Sequence, residues 1–372
     1  MNDIVNSILR SLTSVLWVVL PLFLLIVFLN GWLFFRRLSY INKFVWKTLE
    51  IKIPKEVIKS PKAMEQIFAM TYGTYSGGIT FSEKWWEGKV ECWTSFEIVG
   101  RAHGVRFFVH VQEVYRNLIE SAVYAQFPSA EVVEAQDYVN EFPPFLPNKD
   151  YDVWGTDFVL AREDGYPIRT YPEFEEPGKV EEERRVDPIA AMTEVMSNLK
   201  ESEAIWFQIL ARPTNDTWKK KAEVLKDTLL GKKKKASRTW IDTLSGGLGE
   251  FFGNLVAAPF QYPAWGGGEV KKEERGETVI DKRKIIEAID NKISKLGFEA
   301  VLRFVYIDQR EKFTRSSIAA FLSSTRQFNT LTLNALKPNM KIMTIAKGKF
   351  KWLFKKSKVS RKKRLLYANY RI

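Results

Sequence analysis

The sequence predicts an α+β protein hung from a single N-terminal membrane helix. Three observations point there. They are an unbroken apolar run near the start, an alternation of short β-rich and helical stretches behind it, and a cluster of bases confined to residues 338–372. The apolar run is Leu12–Phe35, LTSVLWVVLPLFLLIVFLNGWLFF, with no charged side chain inside it. At about 1.5 Å per helical residue it is long enough to cross a hydrocarbon core of about 30 Å. Pro21 and the pair Asn30–Gly31 are breaks that membrane helices tolerate. Trp17 and Trp32, near its two ends, suit the aromatic belts of a bilayer. A cleaved signal peptide would show a basic start and small residues at a cleavage site. Here the start carries Asp3 and Arg10, and Phe34 and Phe35 lead straight into Arg36 and Arg37. A retained span is therefore expected over residues 12–35, after a short external stretch at 1–11. Arg36, Arg37, Lys43 and Lys47 outweigh the bases before the span, which sets the N-terminus outside and the body on the cytoplasmic face of the cell's inner membrane.

Residues 36–47 read as a juxtamembrane segment and 48–141 as a first domain. A strand is expected at Leu49–Ile53, stopped by Pro54, and a helix opening at Ser60-Pro61. Trp93–Val99 and Val105–Val111 form a hairpin around Arg101–Gly104, Tyr115–Phe127 has helical spacing, and Glu131–Tyr138 closes as a strand. The order β-α-β-β-α-β is that of a ferredoxin-like unit. A proline-rich joint at 142–152 separates it from a second domain, 153–337, where the order repeats. There the expected elements are a strand at Asp157–Ala161, a helix capped by Asp187-Pro188, a buried strand AIWFQILA at Ala204–Ala211 and its mate AVLRFVYI at Ala300–Ile307. A helix at Thr314–Phe328 and a strand at Thr330–Leu336 complete it. The fold expectation is thus one transmembrane helix followed by two ferredoxin-like units, the second carrying a long insertion at 213–297 in its central hairpin. The acidic stretch Pro172–Asp187 reads as a solvated loop.

Within the insertion, a helix at Asp216–Leu230 ends at Gly231 and four lysines, and another is expected at Asp281–Leu296. Between them Leu248, Phe251, Phe252 and Leu255 fall on one helical face, which would pack on the protein itself, on a membrane or on a partner.

The formal charge of +13 belongs to the end of the chain. Residues 338–372 hold twelve Lys or Arg and no acid, and subtracting them from +13 leaves +1 for residues 1–337. A nucleic-acid-binding body would carry its own basic face. The basic amphipathic tail, with Lys355, Lys356, Lys358, Arg361, Lys362, Lys363 and Arg364, can engage anionic lipid, an acidic protein or nucleic acid.

Nothing in the sequence spells out catalysis. Gly246-Gly-Leu-Gly249 is followed by Glu250 and Phe251, so no phosphate-binding lysine is in place. His103 falls in a turn and His110 on a strand, without metal-ligand spacing, and the single Cys92 rules out an internal disulfide or a cysteine-held zinc site. The expectation is a non-enzymatic protein with no catalytic residues, cofactor or metal.

The segments Ile53–Val57, Ser60–Phe68, Tyr115–Ile119, Tyr151–Thr156 and Ile205–Ile209 resemble an uncharacterised membrane-anchored family of candidate-phyla bacteria. Related regions in that group stand N-terminal to conjugative-transfer, type IV secretion-like ATPases. This sequence has no Walker segment, so the resemblance implies an accessory or scaffold subunit that docks a separate ATPase. The alternative is a membrane-tethered protein that binds nucleic acid through its tail.

Overall fold

The hairpin expected around Arg101–Gly104 forms where the sequence puts it. In the computed structural model, which describes residues 2–54, 60–174, 187–232, 279–345 and 355–371, β2 (Thr94–Arg101) and β3 (Gly104–Gln112) pair antiparallel around that turn. β1 (Trp46–Lys52) pairs with β3 on one side and with β4 (Glu131–Glu134) on the other. The second half repeats this plan. β6 (Ala204–Pro213) and β7 (Phe298–Gln309) pair over their whole length from Ala204↔Ile307 to Pro213↔Phe298. β5 (Tyr151–Leu160) lies beside β7, and β8 (Leu336–Pro338) beside β5. The two second strands, β2 and β6, join edge to edge, giving one eight-stranded antiparallel sheet in the order β4-β1-β3-β2-β6-β7-β5-β8. Read outward from the β2–β6 seam, both halves run second, third, first, fourth.

Helices cover one face of this sheet. α2 (Lys62–Thr71) and α3 (Arg116–Gln126) bury Ala63, Ile67, Ile119, Ala122 and Val123 against Leu49, Val109 and Val111. α4 (Ala190–Ser197), with Met192 and Met196, packs with Ile205, Phe207 and Phe304 of the sheet, as do Ile318 and Phe321 of a helix further along. Inside the β6–β7 hairpin, α5 (Thr217–Leu229) and α6 (Val279–Ile293) form a small cluster of their own from Ala222, Ile285 and Ile289. The helix carrying Phe321 is α7 (Ser316–Ser324).

The opposite face is also covered, and here the structure departs from the sequence reading. The joint expected at 142–152 is not a tether. Phe142 and Leu146 are buried, and β5 begins inside the joint at Tyr151. The strand expected to reach Tyr138 stops at Glu134. Asp137 then accepts a hydrogen bond from the Val139 amide at 3.0 Å, and a 3₁₀ turn (Tyr138–Glu141) drops Tyr138 and Val139 into the core. The basic segment ends as α8 (Lys355–Tyr370), whose Leu366, Tyr367 and Tyr370 join the same core with Trp206. Each such side chain taken out of water contributes roughly 1.5–3 kcal/mol, so this helix is held by its apolar face however basic its other one is. Gly155 of β5 makes room for it: a Cβ there would meet Leu366 Cδ2 at 2.8 Å.

The closing strand is likewise displaced. Residues 330–334, expected as a strand, are captured by side chains instead. Thr330 Oγ1 accepts from the Leu333 amide, Asn334 Oδ1 from the Arg162 amide, and Asn329 Oδ1 from the Leu336 amide. Such side-chain bonds to the backbone compete with a sheet ladder, and β8 is left with three residues. Both outer strands of the sheet are short, β4 with four residues and β8 with three, which limits the row of unpaired backbone groups they expose.

A second compact unit comprises α1 (Asn2–Ile41) and the segment Ser76–Glu91; the sheet, its helices and α8 belong to the other unit. α1 runs without interruption through Pro21 and through Arg36 and Arg37, so the first half of the expected juxtamembrane segment is helix, and its last two residues already belong to β1. Among the described residues the stretch Leu20–Ile41 is long and apolar enough to cross a membrane, and none of it is buried inside the protein.

Candidate functional site

Residues 76–91 are folded onto α1 by bonds that close the segment at its base and at its tip. At the base, Glu91 accepts from the Ser76 amide (3.1 Å) and hydroxyl (2.8 Å). At the tip the chain makes one π-helical turn (Glu83–Glu87). Thr80 braces it: its amide and hydroxyl both donate to Glu83 Oε2 at 2.8 Å, and Lys89 Nζ closes on Glu83 Oε1 at 2.5 Å. The Lys89 hydrogen bond, helped by those from Thr80, pulls the Glu83 carboxyl down to about 2. The turn ends at Gly88 with φ of 72°, where a Cβ would collide with the Arg36 backbone. Only glycine satisfies both demands.

The turn is tied to the helix through its carbonyls. Trp32 Nε1 donates to the Trp85 carbonyl at 3.0 Å, and the Arg36 guanidinium donates to the Trp86 carbonyl. The Trp32 and Trp86 rings meet edge to face at 6.5 Å, and Arg36 also lies 5.7 Å from the Trp32 ring centre. Between turn and helix runs an open groove of about 330 Å³, lined by Phe28, Leu29, Trp32, Phe81, Trp85 and Trp86. Of the expected anchor residues the structure therefore brings together Trp32 and Arg36. Trp17 and Pro21 lie further up α1, exposed, and Arg37 follows Arg36 on it. Sequence reading passed over Phe81, Trp85 and Trp86 as part of a loop. A Trp pair between Gly77-Gly78 and Gly88 was the available signal.

The second concentration of chemistry lies under α8. Four directly opposed residues form a polar row across the middle of the sheet: Glu97 on β2, Gln208 on β6, Arg303 on β7 and Asp157 on β5. All are buried. Gln208 donates to Glu97 at 2.9 Å, and Arg303 Nε donates to Asp157 at 2.9 Å. Tyr138 donates to Glu97 at 2.9 Å and also meets the Tyr370 hydroxyl at 2.7 Å. Arg303 reaches the α8 backbone, donating to the Asn369 carbonyl at 2.8 Å. Burial first, then the Glu97 charge, pushes the Tyr138 and Tyr370 hydroxyls well above the ordinary tyrosine range. Each partner has a structural use: the row joins both halves of the sheet and pins α8. Its signal was in the sequence as single polar interruptions, Glu97, Gln208 and Arg303, at the centres of three apolar strands.

The basic residues of the tail divide between two faces of α8. Lys363 pairs with Asp152 at 2.7 Å and Lys362 donates to the Met343 carbonyl at 3.2 Å. Burial lowers Lys362 below the usual lysine range. Lys356, Lys358, Arg361 and Arg364 are exposed, and the side chain of Lys355 lies outside the described residues. Leu248, Phe251, Phe252 and Leu255 of the insertion also lie outside them.

A third polar cluster sits at the far end of β7. Glu203 accepts from the Tyr306 and Ser317 hydroxyls, each at 2.8 Å, and from the Lys200 amide. Burial alone would raise the Glu203 carboxyl, and these bonds together hold it below the usual range. Thr48 and the His110 ring are hydrogen-bonded at 3.0 Å, and that ring stacks on Trp46, so His110 has a structural position on β3. Among the described residues no three His, Cys, Asp or Glu side chains converge in a way that would hold a metal ion.

Comparison with known proteins adds one finding. A family model described as a domain of unknown function, DUF8128, matches residues 54–340. No curated protein matches the chain.

Proposed function

The chain belongs to the DUF8128 family, and from that premise we propose that it is a non-enzymatic, single-pass membrane scaffold. The observation that carries this reading is α1, whose stretch Leu20–Ile41 is apolar, long enough to span a bilayer and unburied. In this reading α1 crosses the cell's inner membrane with its N-terminus outside, and Arg36, Arg37, Lys43 and Lys47 keep the body in the cytoplasm. The body is then a pair of ferredoxin-like units fused through β2 and β6. The matched strand order of the two halves supports this. The sequence resemblance to regions preceding secretion-type ATPases supports a docking role in a type IV secretion-like or conjugation-like apparatus. The partner is a separate ATPase.

Affinity purification of the full-length protein in detergent, with nuclease treatment, tests the reading. An ATPase of that type should be retained, while the purified chain alone hydrolyses no ATP. Hydrolysis by the chain alone would overturn the proposal.

A second reading draws on the exposed side of α8. Lys356, Lys358, Arg361 and Arg364 present a basic strip free of the bonds that hold Lys362 and Lys363. Such a strip suits nucleic acid or anionic lipid. Nucleic-acid binding by it would weaken steeply with salt and disappear when the four residues become glutamine.

A further inference from the structure

We propose that the segment Ser76–Glu91 is a second membrane contact, its aromatic turn entering the same leaflet as the end of α1 and its groove holding a phospholipid acyl chain. The proposal rests on the reading of α1 as a span and adds a partner site to it.

The first reason is continuity. One wall of the groove is α1 itself, through Phe28, Leu29 and Trp32, and the other is Phe81, Trp85 and Trp86. Whatever solvent meets the helix at this level also meets the turn. Phe81 is 74% exposed, Trp86 63% and Phe28 64%, an apolar surface left open among the described residues. The charged residues of the turn, Glu83, Lys84 and Glu87, do not line the groove.

The second reason is that the helix supplies donors to two backbone carbonyls of the turn. In hydrocarbon an unpaired backbone or indole group is expensive, so membrane-facing irregular backbone survives only where partners are supplied. Here the Trp85 and Trp86 carbonyls receive the Trp32 indole and the Arg36 guanidinium. The turn keeps its own backbone bonds, Lys84 amide to Thr80 carbonyl and Lys89 amide to Glu83 carbonyl, both at 3.0 Å. Lys89 neutralises Glu83.

Depth is the third reason. Phe28 and Arg36 are eight residues apart on α1, which at 1.5 Å per residue is about 12 Å along the helix. With Arg36 and Arg37 at the phosphate level, the groove then reaches into the upper acyl region, the depth of about 5–10 Å at which interfacial segments settle. Trp32 falls between the two, where tryptophan is enriched.

The test uses the full chain with the buried Cys92 replaced by alanine, carrying one nitroxide at Phe81→Cys, Leu25→Cys or Leu331→Cys, in phosphatidylcholine–phosphatidylglycerol vesicles. Accessibility to oxygen against a nickel chelate reports depth. The Phe81 and Leu25 labels should both favour oxygen, and the Leu331 label nickel. A Phe81 label that favours nickel, or is shielded from both by a second copy or another protein, overturns the proposal while the oxygen-favouring Leu25 label leaves the span standing. A Leu25 label in water overturns the span as well. Vesicles brominated on the acyl chains give a check without labels. The Trp86→Phe chain should lose part of the quenchable emission of the unsubstituted protein, and an unchanged quenched share argues against insertion.

Discussion

Replacing Arg303 by methionine removes the cation from the polar row under α8. Asp157, 2.9 Å from its Nε, keeps a charge with the pair only 3% and 10% exposed. The carbonyl of Asn369 and the side chain of Gln208 lose their donor as well. Breaking one side of a buried pair of this kind costs about 3–5 kcal/mol, a large share of the 5–15 kcal/mol that holds most domains folded. Asp157→Leu alone strands the guanidinium and falls in the same range, toward its lower end because Gln208 and Asn369 remain as acceptors. The double substitution leaves no unpaired charge and an apolar pair of similar volume, an exchange that is often neutral or better. It is therefore expected to cost less than either single change, a coupling of about 3 kcal/mol or more. Urea unfolding of the full chain in detergent, followed by near-ultraviolet circular dichroism, provides the assay. Trp206 is a suitable reporter because its ring stacks on Tyr367 of α8 at 6.1 Å. If the double change cost the sum of the two singles within about 0.5 kcal/mol, the residues would be independent and the row would not be a unit.

Other outcomes follow from the same structure. Leu366→Ala should cost about 2–4 kcal/mol, since Leu366 is buried against Gly155, and a change below about 0.5 kcal/mol in urea unfolding would show that α8 is not docked. Gly88→Ala should release residues 76–91 from α1, seen as faster amide exchange confined to that segment; unchanged exchange would contradict the packing of Gly88 on Arg36. Tyr138, Tyr370 and Tyr306 all have hydroxyls raised by burial, with nearby Glu97 or Glu203 adding to it. A raised pKa favours the neutral hydroxyl in the folded state. The stability tied to it is complete below the unfolded tyrosine value of about 10 and is lost as pH climbs beyond it. In an alkaline titration at 295 nm these three, with Tyr367, whose hydroxyl burial also raises, should ionise late and together with loss of near-ultraviolet dichroism. Ionisation of all thirteen tyrosines near pH 10 with the fold intact would count against the buried network.

How much of this was readable from the chain differs by element. The hairpin β2–β3 announced itself through two β-rich runs and a tight turn, and β6 and β7 through two apolar octets, despite the insertion between them. The seam between β2 and β6 had no local signature, because strand neighbours are chosen by three-dimensional packing. β8 was misplaced because Thr330 and Leu331 suit a strand by propensity, whereas Asn329 and Asn334 bind the backbone first. The basic tail misled in another way. Its charges dominate the composition, but Leu366, Tyr367 and Tyr370 decide where the helix goes, and three buried side chains outweigh a solvated row of lysines. The polar row was visible only as interruptions, and the groove on α1 only as a tryptophan pair, since each depends on residues distant in sequence.

The central claim is that α1 crosses the bilayer and leaves the body on one side of it. The direct measurement is labelling with a membrane-impermeant maleimide in sealed vesicles of known orientation. It uses the full Cys92→Ala chain with a single cysteine at Ser7, before the apolar run, or at Leu331, 86% exposed on the body. The account predicts opposite behaviour: in inside-out vesicles Leu331→Cys reacts and Ser7→Cys does so only after detergent is added, and right-side-out vesicles reverse the pattern. Reaction of both sites from the same side would contradict a single span.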